Sequence, residues 1–403
     1  MALTYGAIRA DEADAFRDCL MTTFGHDEAD ADPGGAERMR VLIAPGQAWA
    51  AFDDGLLVGT AGTFDHAIGV PGGGSLRMAG LTMVAVRPTH RRRGILRALV
   101  RLHLDDAQQR GYPVSGLWAS EGAIYGRFGY GIAAYGDAID IKHAHALTIA
   151  SPGASDTLAM VDEATARAQL PAIYAEATAL RPGVLRRSDV WWRERRFLEV
   201  PFVRGGASRR RHVIARREGA NVGYVAYRQR PGFLGGVPSG KAEINELVGI
   251  DAQAEAALWR YMLALDLHPH VTWWNAPVDN TLTWLVEDQR PILRTPSDTL
   301  WLRVEDVPAT LAARRYSLDG TLRFAIDDTT WQLAVQGGQG HCEPTAQPAE
   351  LRLSRAMLGA LFLGGTTASQ LHRAGRIIGD AGAIARADQL FASAYAPWCP
   401  EVF

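Results

Sequence analysis

Lysine is nearly absent from this chain. Of 42 basic side chains only Lys142 and Lys241 are lysine, so 40 (42 − 2) are arginine, the mark of a GC-rich coding bias. A local cluster of arginines is therefore weak evidence of a site by itself. An excess of charge of one sign is also missing: 42 basic against 44 acidic residues give a net charge of -2. That balance excludes a global attraction to nucleic acid or anionic lipid, so any basic site must be local. Three scattered cysteines, Cys19, Cys342 and Cys399, form no CxxC pair, which excludes a disulfide framework and cysteine-based zinc sites. No apolar run approaches the roughly 18 residues of a membrane span. The opening MALTYGAIRADEADAF carries early acids and no signal core, so the expectation is a cytoplasmic protein. A P-loop pattern GxxxxGK[ST] is missing, and the glycine cluster PGGGS (71–75) has no helix after it. Mononucleotide P-loop and dinucleotide folds are excluded on those particulars.

What is present is length: 403 residues call for two or three domains at roughly 100 to 200 residues each. LTYGAIRA reads as a strand, and DEADAFRDCLMTTF as a helix with Phe16, Cys19, Leu20 and Phe24 on one face. Two strands turn about Asp53-Asp54-Gly55, and a third, LRMAGLTMVAV, follows PGGGS. A helix comes next, with Leu96, Leu99, Val100, Leu104 and Ala107 at helical spacing and Gly111 as its stop. The strand VSGLWAS then runs to Ser120. The order hairpin, strand, helix recurs at HVIARREGANVGYVAYRQR, KAEINELVGID and AQAEAALWRYMLALD. Beyond about 291, further strands and helices indicate a third domain. The partition read from the sequence is 1–150, 151–290 and 291–403.

Chemistry concentrates at RRRGIL, where a strand runs into a helix. Unpaired amides and the positive end of the helix dipole suit a pyrophosphate there, and Gly94 permits close backbone approach. Arg91, Arg92 and Arg93 can add charge-assisted bonds, although a solvated helix face in an arginine-rich protein reads equally well from the run alone. The preceding strand LTMVAV could offer free backbone groups to an amide-bearing arm. A phosphate with a peptide-like tail is coenzyme A. The second copy of the pattern has DAQAEA at the matching junction, so that unit lacks the anion site.

The strand MVAV, the junction RRRGIL and the phrase ASEGAIYGRFGYG (119–131) together resemble the GNAT acyltransferases, and the last phrase resembles the Eis subgroup. Arg91 and Gly94 meet the general signature R/Q-x-x-G-x-G/A, while Leu96 replaces its last small residue. The resemblance covers the whole chain. It implies an α+β protein of two tandem GNAT domains, the second degenerate, with a C-terminal sterol-carrier-like domain. It further implies that Val84, Ala85 and Val86 hold the pantetheine arm of acetyl-CoA, and that Arg92, Arg93, Gly94, Ile95, Leu96 and Arg97 hold the pyrophosphate. Ser120 and Glu121 would border the acyl end, and Tyr125 would act as general acid toward the departing thiolate. The last carboxylate, that of Phe403 in WCPEVF, would accept the amine's proton. Glu401, Phe24, Met83 and Trp118 would line the acceptor side, and the acidic loop HDEADAD (26–32) would add negative charge. The implied reaction is acetyl transfer to primary amines of aminoglycosides or polyamine-like acceptors, at several positions, in a homohexamer without metal. Acetylation of protein lysines, or ligand binding without turnover, are the alternatives.

The histidine pairs His143/His145 and His268/His270 would share a face if they lie in strands, but neither has a third ligand at zinc spacing. Trp191, Trp192, Trp273 and Trp274 read as packing residues. RRSDVWWRERR and RGGASRRRH sit in a region without basic excess, so a nucleic-acid surface is not expected.

Overall fold

Strand Leu56–Gly69 is buried along most of its length on both faces, which requires helices above and below it. The computed structural model describes residues 3–26, 32, 34–42, 46–149 and 156–403 and supplies those helices. The first sheet contains β1 (Leu3–Ala7), β2 (Ala48–Asp53), β3 (Leu56–Gly69), β4 (Ser75–Val86), β5 (Val114–Trp118) and β6 (Gly131–Ile132). Helices α1 (Ala13–Thr23) and α3 (Ile95–Gln109) pack against β3 and β4, while α2 (Gly35–Leu42) packs against α1. The short α4 (Gly122–Tyr125) follows β5. Asp54 and Gly55 both have positive φ, so the expected Asp-Asp-Gly turn joins β2 to β3.

The second sheet takes β7 (Tyr135–Ile141), β8 (Thr157–Val161), β9 (Arg211–Arg217) and β10 (Ala220–Arg230). After a small hairpin of β11 (Phe233–Leu234) and β12 (Val237–Pro238) it adds β13 (Lys241–Gly249), β14 (His270–Pro277) and β15 (Leu293–Asp298). Helix α5 (Glu163–Ala177) and the helix Ala252–Leu263 cover it. The strand orders are β1-β2-β3-β4-β5-β16-β6 and β15-β7-β14-β13-β10-β9-β8, where β16 is Leu300–Val304. Each unit thus lends a strand to the other. Tyr135–Ile141, read as part of 1–150, pairs with β14 and β15, and Leu300–Val304, read as part of 291–403, pairs with β5 and β6. Such exchange is set by pairing across more than a hundred residues, which local pattern does not carry.

The remaining chain forms a five-stranded sheet of β17 (Gly320–Ile326), β18 (Thr329–Gln336), β19 (Gln339–Pro344), β20 (Leu351–Arg352) and β21 (Ile378–Gly379). Helix Ala381–Phe391 packs on it, ending at Phe391 because Ala392 leaves the helical conformation, while helix Arg355–Phe362 packs on β16 and β6 of the first sheet. The first and third sheets share one continuous apolar core, and the second has its own. No helix among the described residues is long and apolar enough to cross a membrane.

Candidate active site

Strands β4 and β5 run parallel and pair only at Met78–Val114, Ala79–Ser115 and Gly80–Gly116. Beyond Gly80 they part, so the β5-facing edge of Leu81–Val86 has no strand partner among the described residues. The divergence begins with a bulge in β4. The β3 register jumps between Gly62–Thr82 and Thr60–Ala85, and Met83 takes φ 54°, a conformation costly for a side chain with a Cβ. The Thr60 hydroxyl donates to the Met83 carbonyl at 2.7 Å and holds the distortion in place.

A buried polar chain fixes the apex of this wedge. Ser115 Oγ donates to the Ala79 carbonyl at 3.1 Å and also meets Tyr130 OH and His103 Nε2, both at 2.7 Å. His103 Nδ1 lies 2.6 Å from Thr63 Oγ1. Burial drives the His103 pKa down to about 3, so the ring is neutral; with Ser115 donating to Ala79, Nε2 carries the proton and Nδ1 accepts from Thr63. Strands β3, β4 and β5 and helix α3 are joined there by groups that have no outlet to water. The helical pattern of α3 shows an apolar face and gives no hint that His103 is fully enclosed.

On the other side of the opening stands α3. Gly94 caps it at φ 83° without a side-chain cap, a Cβ there would meet nothing within 4 Å, and Arg91, Arg92, Arg93 and Arg97 are exposed. The amides of the first turn, among them Ile95, Leu96 and Arg97, are the donors a helix leaves unpaired. Ile95 is buried and Leu96 half-buried, so both act through backbone and packing. Arg93 is committed elsewhere: its guanidinium pairs with Asp53 at 2.6 Å. Val84 and Val86 are partly buried, and Ala85 is fully so. An edge of free strand amides leading to an open, arginine-flanked helix N-terminus fits a pantetheine arm and its pyrophosphate.

Ser120 and Glu121 lie exposed at the end of the β5 side, and the turn of α4 they lead into carries Tyr125. Tyr125 is 6 % exposed and packs edge-on to Tyr130 at 6.2 Å. Burial, with Glu121 adding to it, pushes its hydroxyl up to about 12. The site therefore keeps the proton on Tyr125 instead of easing its release.

The C-terminal segment reaches the wedge apex. A Cβ on Gly80 would stand 3.1 Å from Phe403 Cε2 and 2.9 Å from His66 Cδ2, so only glycine leaves room for both rings. His66, itself edge-on to Trp191, packs against the Phe403 ring at 4.9 Å. Burial lowers the His66 pKa to about 4, leaving a neutral ring whose Nε2 has no partner among the described residues. The tail is tied at successive points: Trp398 N to Pro182 O at 2.9 Å, Asn275 Nδ2 to Cys399 O at 2.9 Å, and Arg195 Nη2 to Val402 O at 2.6 Å. Such ties oppose the fraying usual at a chain end.

Two acceptor-side expectations change. Glu401 does not face an open mouth: it is 3 % exposed, and its Oε1 accepts from Arg187 Nε at 2.5 Å. Burial alone would raise its pKa, but Arg187 and Arg196 hold it below the usual range. Phe24 does not share the buried face of α1, because the helix ends at Thr23 and leaves the ring 48 % exposed. Of the acidic loop, residues 27–31 lie outside the described residues, and Asp32 is occupied by Arg17 and Arg38. Met83 and Trp118 are half-buried against the core cluster that includes Phe403, and the Trp118 ring also contacts Trp274, which is 51 % exposed. Tyr125 packs in a separate cluster with Leu117 and Trp301. His143 and His145 fall in a turn and a 3-10 helix, and His270 pairs with Asp140 at 2.9 Å. No group of three metal-ligating side chains occurs among the described residues.

Models described as "Acetyltransferase (GNAT) domain" match residues 4–133 and 183–304, and one described as "Sterol carrier protein domain" matches 307–400. The protein is thus an N-acetyltransferase of two GNAT domains and a sterol carrier domain, and the GNAT fold implies acetyl-CoA as donor. It is 36 % identical to "N-acetyltransferase Eis" of Mycobacterium bovis over 84 % of this chain and 83 % of that one. An "Uncharacterized N-acetyltransferase" of Streptomyces avermitilis is 36 % identical over 98 % of both chains. The crystal structure of Eis1 from Mycobacterium abscessus superposes with a TM-score of 0.85 at 30 % identity, covering 99 % of this chain and 100 % of that one. The chain belongs to the Eis family of GNAT N-acetyltransferases.

Proposed function

We propose that this enzyme moves the acetyl group directly from acetyl-CoA to primary amines of aminoglycosides and similar polyamines, at several positions of one acceptor, without an acyl-enzyme. The observation that carries the reading is the Phe403 ring seated on Gly80 where β4 and β5 part. In this reading the terminal carboxylate stands beside the opening that receives the thioester. With the Glu401 carboxylate paired to Arg187 inside the protein, the carboxylate of Phe403 supplies the charge that holds the ammonium. An α-carboxyl of pKa about 3.5 is a weak base toward an amine, so most of its worth is positional. The held ammonium first gives a proton to solvent; as the freed amine nitrogen then bonds to the carbonyl carbon, the carboxylate receives the next proton directly or through water. Strand amides near Val84 face the developing oxyanion. Tyr125 donates a hydrogen bond to the sulfur as the C–S bond breaks. The proposed assembly is a homohexamer in the cytoplasm.

Gly80→Val tests the seat of Phe403. The added methyl groups enter space held by the Phe403 and His66 rings, and turnover of an amine acceptor should fall at least tenfold. Acetyl-CoA affinity, measured by calorimetry, should stay within about twofold. Unchanged turnover in a folded Gly80→Val protein would remove Phe403 from the mechanism.

A further inference from the structure

The second GNAT unit opens its own wedge. Strands β13 and β14 pair in parallel only from Lys241–His270 to Ile244–Trp273 and then diverge, as β4 and β5 do. Its contents differ. Trp398 of the tail fills the apex, its indole Nε1 donating to the Asn275 carbonyl of β14 at 3.1 Å, in the gap between the strands where a pantetheine arm would run. At the adjoining helix Ala252–Leu263, the cap is Asp251, whose carboxylate accepts from the Ala254 amide and pairs with Arg217. A phosphate is excluded by that charge, and an acyl-CoA by that indole.

The mouth of the wedge nevertheless stays open as a cavity of about 380 Å³ between the ends of β13 and β14, the end of α5 and Tyr395. Its walls include Trp259, Trp273 and Tyr395 together with Glu255 and Asp279. Asp279 is balanced, by Arg181 at 2.7 Å and the Ala396 amide at 2.9 Å. Glu255 is not: the Thr281 hydroxyl donates to one of its oxygens at 2.5 Å, and it makes no ion pair among the described residues. Its carboxyl is raised above the ordinary range, chiefly by burial. On the same walls Trp273 is 2 % exposed, and its indole Nε1 has no partner among the described residues. A carboxyl without a direct ion pair, an unused N–H donor and aromatic faces, with Arg181 only partly offsetting the Glu255 charge from the same walls, together ask for a ligand with an ammonium group, an acceptor oxygen and a small ring.

We infer that the wedge of the second GNAT unit is a separate binding site for a small hydroxylated amine, with Glu255 taking the ammonium and Trp273 Nε1 an oxygen of the ligand. The cavity borders the root of the catalytic tail, since Asp279 and Arg181 also hold Ala396 at 2.9 and 3.0 Å. The site uses no residue assigned to acetyl transfer, so it stands or falls apart from that reading.

The test is glucosamine binding to the full chain, followed by ligand-observed NMR titration, in the wild type, Glu255→Gln and Trp273→Phe. Glu255→Gln should weaken one binding event at least tenfold, and Trp273→Phe, which keeps the ring and removes the N–H, by several-fold. The KM for an amine acceptor should stay within twofold in both. Identical isotherms in all three proteins would overturn the inference, as would no glucosamine binding at all. Loss of glucosamine binding in Glu255→Gln by a chain that acetylates no amine would uphold this site while refuting the proposed reaction.

Discussion

Tyr125→Phe should lower turnover by about a hundredfold or more, with acetyl-CoA affinity within about twofold of wild type and the unfolding midpoint little changed. General acids are worth roughly 10² to 10⁴ in rate, and the substitution removes only a hydroxyl from a ring held by packing. A hydroxyl pushed up to about 12 by burial also bears on the help proposed for Tyr125. Full proton transfer to a thiolate of pKa about 8.5 would be uphill by about 5 kcal/mol at 1.36 kcal/mol per unit. Hydrogen-bond donation during collapse of the tetrahedral intermediate avoids that cost. Steady-state rates with calorimetric acetyl-CoA binding check the point, and near-normal turnover would sink the assignment.

Arg187→Met should cost about 3–5 kcal/mol of stability and loosen the tail. Arg187 is fully buried, holds Glu246 through both carboxylate oxygens at 2.5 and 3.0 Å, and reaches Glu401 through Nε at 2.5 Å. Its guanidinium lies 3.6 Å from the Tyr174 ring centre and 4.5 Å from that of Trp192. Burial alone would raise the Glu246 pKa, but Arg187 and Arg196 lower it to about 2, so both acids stay charged at working pH. Without Arg187 the two enclosed carboxylates keep only Arg196 as an ion-pair partner among the described residues, and breaking one partner out of a buried ion network is far costlier than replacing the whole. Thermal unfolding should show a midpoint lower by about 5 °C, and hydrogen exchange should rise in 397–403. A midpoint within a degree of wild type would mean that the network adds nothing to the fold.

The junction RRRGIL, the strands around it and the repeat of the pattern without its anion site were legible because each depends on local chemistry: glycine before a helix, apolar spacing, turn residues. The exchange of Tyr135–Ile141 and Leu300–Val304 between sheets was not, since it rests on pairing partners far apart in the chain. The bulge at Met83 left no mark because methionine is no turn former, and its distortion is imposed by Thr60 and the β3 register. Glu401 looked like an exposed acid beside a chain end, and only the fold brings Arg187, 214 positions away, against it. His103 and His66 were hidden for the converse reason: a histidine in an apolar stretch carries no sequence signal of what encloses it. Tyr125 and Phe403 were singled out through the family phrase and the tail, and the structure adds what surrounds each.

The most direct test of amine acetylation is the mass of a polyamine aminoglycoside after exhaustive incubation with acetyl-CoA and the wild-type chain. A gain of several acetyl groups is the predicted result. An unchanged mass, from protein shown separately to bind acetyl-CoA, would contradict the proposed acceptor and leave protein lysines, another acceptor or binding without turnover as the readings.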